Sequence, residues 1–534
     1  MAQKISPNRS MPAPRTISIL VLMLQIAFLL VGCSPTPGSE PTATLIRNVL
    51  IVDGTGAPGR RGAVRIVGDT IVEASSEVGA EPGDTAIDGG GLVLAPGFID
   101  THSHHDWGLA ETPDAPGAVS QGITTIVAGQ DGSHPMPLAE ATLSLSQRPP
   151  ALNIAYYAGH GTLRSAVMGD DFRRAATVPE VESMAALLRR ELDSGALGLS
   201  SGLEYDPGIY SDPSEVLALA RVTAEAGGRY LSHIRSEDRW FWDAIEEIVT
   251  IGREARLPVQ ISHIKLAMIP LWGQTARVLE VLEEARAAGI DISADIYPYP
   301  YWQSTLTVLF PERNFEDRAE AEKILRELAT PEGLLIGDFA PAPEYAGKTV
   351  AEISILRQED PASTLMSLIR ESQAWAASRE TGAENGVVSS TVESVVATSM
   401  SDEDIAALMA WEHTNICSDG MLDGPHPRGF GAFPRVLGKY VRDDRILSLE
   451  EAIRKMTSLP AEHMGLSRRG TISPGSFADL VLLDPATVGD RATPQEPHLL
   501  STGIVRVWVN GETVWESDRT TGAHPGRFLR RQDQ

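Results

Sequence analysis

The chain has 534 residues, of which 42% are hydrophobic and 22% charged, a balance that is ordinary for a globular protein with a large core. Its formal net charge at pH 7 is −26. This charge argues against nucleic acid and against an anionic lipid surface as partners, because both are bound through a basic face.

Residues 1–32 have the layout of an export signal. Basic residues precede the apolar run ISILVLMLQIAFLLVG, which is short for a membrane span. The run ends in LVGC, and this ending resembles the lipobox of a bacterial lipoprotein signal, which implies cleavage before Cys33 and acylation of Cys33. The alternative is a plain signal anchor with an incidental cysteine.

Residues 33–44 are rich in Ser, Pro and Thr and predict a flexible tether. With an acyl chain at Cys33, the domain that follows is expected to be soluble but anchored to the extracytoplasmic side of the cell envelope. Ser34 rather than an aspartate follows the cysteine, which favours the outer membrane.

Residues 96–467 alternate between short apolar runs and amphipathic helical patterns. The runs are GFIDTH, TTIVAG, LNIAYYAG, ALGLSS, RYLSH, VQISH, DISADIY and TNICS, and stretches such as SEVLALARVTAEAGG lie between most of them. Eight strands with helical crossovers predict an α/β fold, the (β/α)8 TIM barrel. A doubly wound open sheet is the competing arrangement. The strand count and the polar residues at the strand ends favour the barrel.

Three further segments complete the predicted organisation. Residues 45–95 and 468–518 are short strands with glycine turns, and they are predicted to pair into one small β-sandwich domain formed by the two ends of the chain. Residues 310–398 lie between the seventh and eighth barrel strands and are charged and partly helical. They predict an insertion over the barrel mouth that could act as a lid.

The first barrel strand runs into THSHHD. Residues two apart in a strand point the same way, so His102 and His104 face one side and suit one metal ion. His105 faces the other way and is expected either to contact a ligand or to be exposed, not to bind the metal. Asp106 is a candidate to accept the second ring N–H of a ligand imidazole, as carboxylates do in many metal sites.

Three more candidate ligands end later strands. His233 and His263 close two consecutive strands, and Asp419 follows the last one in ICSDG. A single histidine in such a place is usually a core or rim residue, and Ser-Asp-Gly is also a turn sequence. Together with the first histidine pair, these residues predict a metal site with Asp419 as catalytic carboxylate.

The motifs PGFIDTHSHHD, QGITTIVAGQDG, GHGTLR, SSGLEYDPG, SHIRSE, SHIK, DIYPY, HPRGFGAFPRVLGKYVR and TTGAHPGRFLR occur in this order. Together they resemble the N-acyl-D-amino-acid deacylases (D-aminoacylases) of the amidohydrolase superfamily. The resemblance extends from about residue 46 to residue 530 and is weakest over residues 310–398.

This resemblance implies ligands for two metal positions: His102, His104 and Asp419 at one, and His233 and His263 at the other. The family places a bridging cysteine after the second strand, where this chain has Asp131. A carboxylate can bridge two cations but is a harder ligand than a thiolate. Zinc is therefore expected, as one or two ions, with Mn²⁺ or Fe²⁺ more plausible than in a thiolate-bridged relative. The alternative for Asp131 is a turn residue before glycine.

The resemblance also implies substrate-binding residues. Arg428 would clamp the amino-acid carboxylate, for which a planar guanidinium is suited. Tyr205 and Tyr297 match positions that line the same pocket, and Ser304 joins them although YPYPYWQST departs from the family pattern. Without the resemblance, a surface arginine and core tyrosines would be the simpler interpretation.

The implied activity is metal-dependent hydrolysis of the amide in N-acyl-D-amino acids, with Asp419 moving the proton. The preference for the D-enantiomer rests on the resemblance alone. A related cyclic amidase of the dihydroorotase or hydantoinase type, or a dipeptidase acting on D-residues, is the alternative within enzymes. A lipid-anchored binding protein without catalysis is the alternative outside them.

Overall fold

The computed structural model describes residues 43–380 and 392–531. The predicted signal, Cys33 and most of the predicted tether lie outside these residues. Within the described ranges, no helix combines the length and the apolar character needed to cross a bilayer.

Eight parallel strands form the barrel, and each lies within one of the eight predicted apolar runs or extends one residue beyond it. In chain order, barrel strands 1 to 8 are Phe98–Asp100, Ile123–Ala128, Asn153–Tyr156 with its continuation Ala158–Gly159, Gly198–Gly202, Arg229–His233, Val259–Ile261, Ile292–Ile296 and Thr414–Ile416. Neighbours in this order pair in parallel. Nearly all strand residues are buried, as expected for strands that are covered on both faces. The predicted (β/α)8 TIM barrel is confirmed.

Two backbone hydrogen bonds join the segment after barrel strand 8 to the segment after barrel strand 1. Asp419 N donates to His102 O at 2.8 Å, and His104 N donates to Gly420 O at 2.9 Å. The last and first strands are therefore held together at the end of the barrel where the candidate ligands lie.

Amphipathic helices cover the barrel. Phe241–Ala255 buries residues three or four positions apart, among them Ile245, Ile248 and Ile251, and so packs one face on the strands. Val178–Asp193 starts with a reciprocal cap between Thr177 and Glu180. The other main helices of the barrel are Leu138–Gln147, His160–Met168, Pro213–Glu225, Thr275–Ala287, Asp402–Ala410, Arg428–Arg435, Leu449–Met456 and Ser458–Met464.

The two ends of the described chain form one nine-stranded sheet. Its strands are Thr44–Ile51, Arg60–Val67, Thr70–Ser75, Thr85–Asp88, Val93–Pro96, Leu480–Leu483, Ile504–Val509, Glu512–Glu516 and Arg519–Thr520. The two ends meet where Val93–Pro96 pairs antiparallel with Leu480–Leu483. A separate apolar core that includes Ile46, Val64 and Trp508 supports this sheet. The structure thus contains the small β-domain that the sequence predicts.

The segment between barrel strands 7 and 8 forms its own antiparallel sheet. Glu393–Thr398 is its central strand and pairs with Tyr301–Ser304 on one side and Leu334–Phe339 on the other. Helices Arg318–Glu327, Val350–Arg357 and Pro361–Glu380 accompany it. The sheet begins before the predicted start of the insertion, and this brings Ser304 close to the barrel mouth.

Candidate metal centre

The structure brings the six predicted ligands together at one end of the barrel. They follow or end five of its strands: His102 and His104 after strand 1, Asp131 after strand 2, His233 at the end of strand 5, His263 after strand 6 and Asp419 after strand 8. Side chains at the carboxyl ends of parallel barrel strands converge on the same mouth, where barrel active sites are built.

Four of these residues form a first cluster, with their ligand atoms all within 4.8 Å of one another. His104 Nε2 lies 3.2 Å from Asp131 Oδ2 and 3.5 Å from Asp419 Oδ1. His102 Nε2 lies 3.4 Å from Asp131 Oδ1 and 3.6 Å from Asp419 Oδ1. Two ligand atoms about 2.0–2.2 Å from a tetrahedral zinc ion lie about 3.3–3.6 Å apart, so these spacings suit a shared ion.

Asp131 also belongs to a second cluster with His233 and His263. Its Oδ1 lies 3.4 Å from His263 Nε2 and 3.9 Å from His233 Nδ1, and the two imidazole nitrogens are 3.1 Å apart. One carboxylate therefore lies between two pairs of histidines. This is the place that the resemblance assigns to a bridging ligand.

Unpartnered polar atoms in the first cluster test whether these residues fit a metal. Both ring nitrogens of His102 and Oδ1 of Asp131 are buried and have no hydrogen-bond partner among the described residues. Buried polar atoms almost always have a partner, and each exception requires a reason. A divalent cation bound by imidazole and carboxylate supplies one, and the donor set suits zinc.

The backbone is unusual at three of the six ligands. Asp131, His263 and Asp419 have φ values of 52°, 36° and 49°. Residues with a Cβ rarely adopt this left-handed region, and such conformations persist where the surrounding fold holds them. The barrel thus holds these side chains in orientations that a relaxed strand end would not give.

The electrostatics of the centre favour a cation. Burial lowers the pKa of His104, but the carboxylates of Asp131 and Asp419 outweigh it and raise this pKa to about 10. Burial raises the pKa of Asp419, but Arg428 and the imidazole of His102 hold it well below its usual range. Burial raises the pKa of Asp131 too, but the imidazole of His102 holds it well below its usual range, so both carboxylates are ionised and can bind a cation.

Three residues that the sequence analysis did not single out support the ligand histidines. Glu204 Oε2 lies 3.0 Å from His233 Nε2, and Glu237 Oε1 lies 2.9 Å from His263 Nδ1. Lys265 Nζ donates to Glu237 at 2.6 Å. These contacts orient the rings so that the opposite nitrogens face Asp131. All three residues lie within the motifs SSGLEYDPG, SHIRSE and SHIK. Their position just after strand ends could have indicated that they lie near the ligands.

Asp106 does not take the orienting role that was expected of it. One of its carboxylate oxygens is buried without a partner in the described chain, and no hydrogen bond joins it to an imidazole there. His105 is buried and lies 2.8 Å from Ser103 Oγ and 2.9 Å from the carbonyl of Gly429, so it faces away from the ligands. Carboxylates from later strands, not the neighbouring one, orient the rings.

Two cavities meet at the centre. The first has a volume of about 380 Å³, and its lining includes the four residues predicted to bind substrate: Tyr205, Tyr297, Ser304 and Arg428. The second has a volume of about 660 Å³, lies on the side of Trp107 and Asp131, and shares all of these except Tyr297. A ligand bound at the metal centre can therefore extend in two directions.

Arg428 links the first cavity to the metal centre. Its Nη1 lies 2.6 Å from Asp419 Oδ2, and its guanidinium carbon lies 4.7 Å from the centre of the Tyr297 ring. Arg428 Nε and the Tyr297 hydroxyl are buried and have no hydrogen-bond partner in the described ranges. These two polar groups are therefore available to a ligand beside the catalytic candidate Asp419.

Comparison with known proteins gives consistent results. The family model for the amidohydrolase family matches residues 85–334 and 358–515. An N-acyl-D-glutamate deacylase from Alcaligenes xylosoxydans xylosoxydans is 36% identical, over 92% of this chain and 97% of its own length. A D-aminoacylase from the same organism is 35% identical, over 92% of this chain and 98% of its own length.

A solved structure is similar over almost the whole chain. It is the N-acyl-D-glutamate deacylase from Bordetella bronchiseptica, complexed with zinc and a phosphonate inhibitor that mimics the tetrahedral intermediate. Its TM-score is 0.79 and its sequence identity 34%, covering 91% of this chain and 99% of that one.

Replacing Asp131 tests its place between the two histidine pairs. We expect Asp131→Ala to lower zinc affinity by about 100-fold or more, because losing a group that only orients a ligand already costs about 10- to 100-fold. Asp131→Cys should retain zinc, because a thiolate is a competent ligand. Zinc content after dialysis against graded chelator measures both effects. Asp206→Asn is the matched control, since Asp206 pairs with Arg313 and not with an imidazole. Full zinc retention by Asp131→Ala would contradict a ligand role.

Proposed function

Because the chain belongs to the D-aminoacylase family of amidohydrolases, we propose that it hydrolyses the amide bond of N-acyl-D-amino acids. The products are a carboxylate and a free D-amino acid. The observation that carries the proposal is the cluster of four histidines and two aspartates beside Arg428, in a cavity large enough for a small molecule. A metal ion held by this cluster would supply what amide hydrolysis needs, a polarised carbonyl and an activated water.

Zinc is the cofactor that the residues fit best, as one or two ions, and Mn²⁺ or Fe²⁺ suits the same donors. His102, His104 and Asp419 would hold one position, His233 and His263 the other, and Asp131 would contact both. When bound, such an ion lowers the pKa of a water ligand and polarises the scissile carbonyl. The remaining work of binding, orientation and proton transfer falls to the side chains of this chain.

Arg428 and Tyr297 are placed to bind the α-carboxylate of the substrate. A guanidinium matches a carboxylate, and while Nη1 of Arg428 contacts Asp419, its unpartnered Nε and the Tyr297 hydroxyl can both donate to the substrate. This contact would hold the substrate so that its scissile carbonyl lies at the metal centre and meets the water. With the carboxylate and the carbonyl both fixed, one cavity takes the acyl group and the other the amino-acid side chain. The two enantiomers point the side chain in different directions, so only one of them fits.

Asp419 is placed to move the proton. Its Oδ1 faces the first pair of imidazoles and its Oδ2 faces Arg428, so it lies between the metal centre and the carboxylate clamp. In the proposed reaction it accepts a proton from water as the new carbon–oxygen bond forms. It then delivers that proton to the amine nitrogen as the carbon–nitrogen bond breaks.

Amine release from matched N-acetyl-D- and N-acetyl-L-amino acids tests the reaction directly. With zinc-loaded protein lacking residues 1–33, we expect release from the D-series only, across a panel of side chains. Asp419→Asn should lower kcat by about 10²- to 10⁴-fold, the usual contribution of a general acid–base. Failure to release amine from either series, with zinc shown to be bound, would contradict the proposal and make cyclic amides and dipeptides the next substrates.

The carboxylate clamp has a matched control on the same helix. Arg435 stacks on Tyr299 at 4.7 Å, as Arg428 stacks on Tyr297, but it pairs with Asp490 away from the cavities. We expect Arg428→Lys to lower kcat/KM by about 10- to 100-fold, mainly through KM, because a bidentate charged contact is lost. Arg435→Lys should leave KM unchanged. Equal effects of the two substitutions on KM would contradict the clamp.

The N-terminal sequence supports anchoring of the protein to the cell envelope, on its extracytoplasmic side, through an acyl chain on Cys33. Metabolic labelling with an alkynyl fatty acid tests this. We expect label in the wild type and in Cys417→Ser, whose cysteine is buried in the barrel, but not in Cys33→Ser. Label retained by Cys33→Ser would contradict the anchor.

A further inference from the structure

A cavity of about 500 Å³ lies at the opposite end of the barrel from the metal centre. Its walls come from the amino ends of barrel strands 5 to 8 and from helices Thr275–Ala287, Leu449–Met456 and Ser458–Met464. Arg229 begins the strand that His233 ends. At about 3.3 Å per residue, these two residues are about 13 Å apart along the strand. The catalytic proposal makes no use of this basal pocket.

The basal pocket has a basic interior and an acidic rim. The side chains of Arg286 and His413 are 26% and 19% exposed, whereas those of the neighbouring acids Asp291 and Glu412 are 62% and 73% exposed. Arg454 is 23% exposed. The guanidinium groups of Arg286 and Arg454 are therefore less hydrated than these two acids.

The three guanidinium groups of the basal pocket keep donors available. Arg229 donates from Nε and Nη2 to the carbonyls of His463 and Glu462, and Arg286 donates from Nη1 to the carbonyl of Ile292. Each of these arginines retains one terminal nitrogen, Nη1 and Nη2 respectively, without a hydrogen-bond partner in the part of the chain that the structure describes.

Arg454 completes the set of available donors. It uses Nε and Nη2 on Glu451 and on a backbone carbonyl, so its Nη1 is likewise without a partner among the described residues. Backbone carbonyls hold the first two guanidiniums in place, and Arg286 also pairs with the exposed Asp291 at 3.5 Å. Three oriented donors that face one cavity are the elements of an oxyanion site. The lining acids that balance their charge, Asp291, Glu412 and Glu462, are exposed at its rim.

The imidazole of His463 reports the potential inside the basal pocket. Burial, then His413, Arg286 and Arg229, hold its pKa at about 3. The guanidiniums of Arg286 and Arg229 thus act together on this one point. A polyvalent anion bound there would relieve their mutual repulsion.

We propose that the basal pocket binds a phosphate group carrying two or more negative charges. Three guanidiniums match the several oxygens of such a group better than the two of a single carboxylate. The volume exceeds that of one phosphate, so inorganic phosphate and pyrophosphate are both admitted. Because the pocket lies at the opposite end of the strands from the ligands, binding there stabilises the fold without entering the reaction.

Calorimetric titration of the zinc-loaded protein with inorganic phosphate, pyrophosphate and succinate at constant ionic strength tests the proposal. The pocket variant is Arg286→Gln/Arg454→Gln. The control variant is Arg221→Gln/Arg253→Gln, which removes the same charge from exposed helix positions. Zinc-dependent phosphate binding at the metal centre is common to all three proteins, so only the difference between variants reports the pocket.

We expect phosphate or pyrophosphate affinity to fall at least about tenfold in the pocket variant and to be unchanged in the control. Preference for pyrophosphate would identify a diphosphate ligand, and preference for phosphate a single group. Equal binding by wild type and pocket variant, an equal loss in the control, or succinate binding as tightly as phosphate would overturn the proposal. Arg454→Gln alone replaces the double variant if circular dichroism shows misfolding.

Discussion

The proposed centre depends on one carboxylate, because Asp131 is the ligand candidate common to both imidazole pairs. Its position results from a sharp left-handed bend after barrel strand 2 that continues through Gly132, whose φ is 78°. A Cβ at Gly132 would lie 3.0 Å from the backbone nitrogen of Gly202, so the bend is pressed against barrel strand 4. The packing of this bend against barrel strand 4 thus fixes the backbone of Asp131 and, with it, the region that its carboxylate can reach.

The barrel and the six ligand candidates could both be predicted from the sequence. Buried parallel strands are short apolar runs bounded by helical patterns, and eight of them could be recognised one at a time. The first strand of the insertion, Tyr301–Ser304, could not be, because its partner Glu393–Thr398 is distant in the sequence. The contacts of Glu204 and Glu237 with the ligand imidazoles could not be predicted either, because they depend on how neighbouring strands pack. Asp106 is adjacent to the first histidine pair in the sequence but does not bind either ring.

The two arginine–tyrosine pairs show that residue types alone do not identify the site. Arg428 and Arg435 lie on one helix, two turns apart, and each guanidinium stacks at 4.7 Å on a tyrosine from the segment after barrel strand 7. In the second pair, Arg435 binds Asp490 and a backbone carbonyl, so its role is structural. The first pair faces a cavity with unpartnered atoms. The two pairs have the same residue types, and only their surroundings distinguish the proposed substrate-binding pair from the structural one.

Closure of the barrel joins parts of the chain that are far apart in sequence. Ser418 donates to Asp100 across 318 positions, next to the backbone bonds that hold the last strand to the first. The first histidine pair therefore meets Asp419 only when the ring closes, and such long-range pairing is slow to form. A chain truncated before barrel strand 8 would keep five of the six ligand candidates but would lack the closed ring that aligns them. Metal uptake at the proposed centre should therefore be coupled to barrel closure, and metal retention would report that barrel strand 8 has joined strand 1.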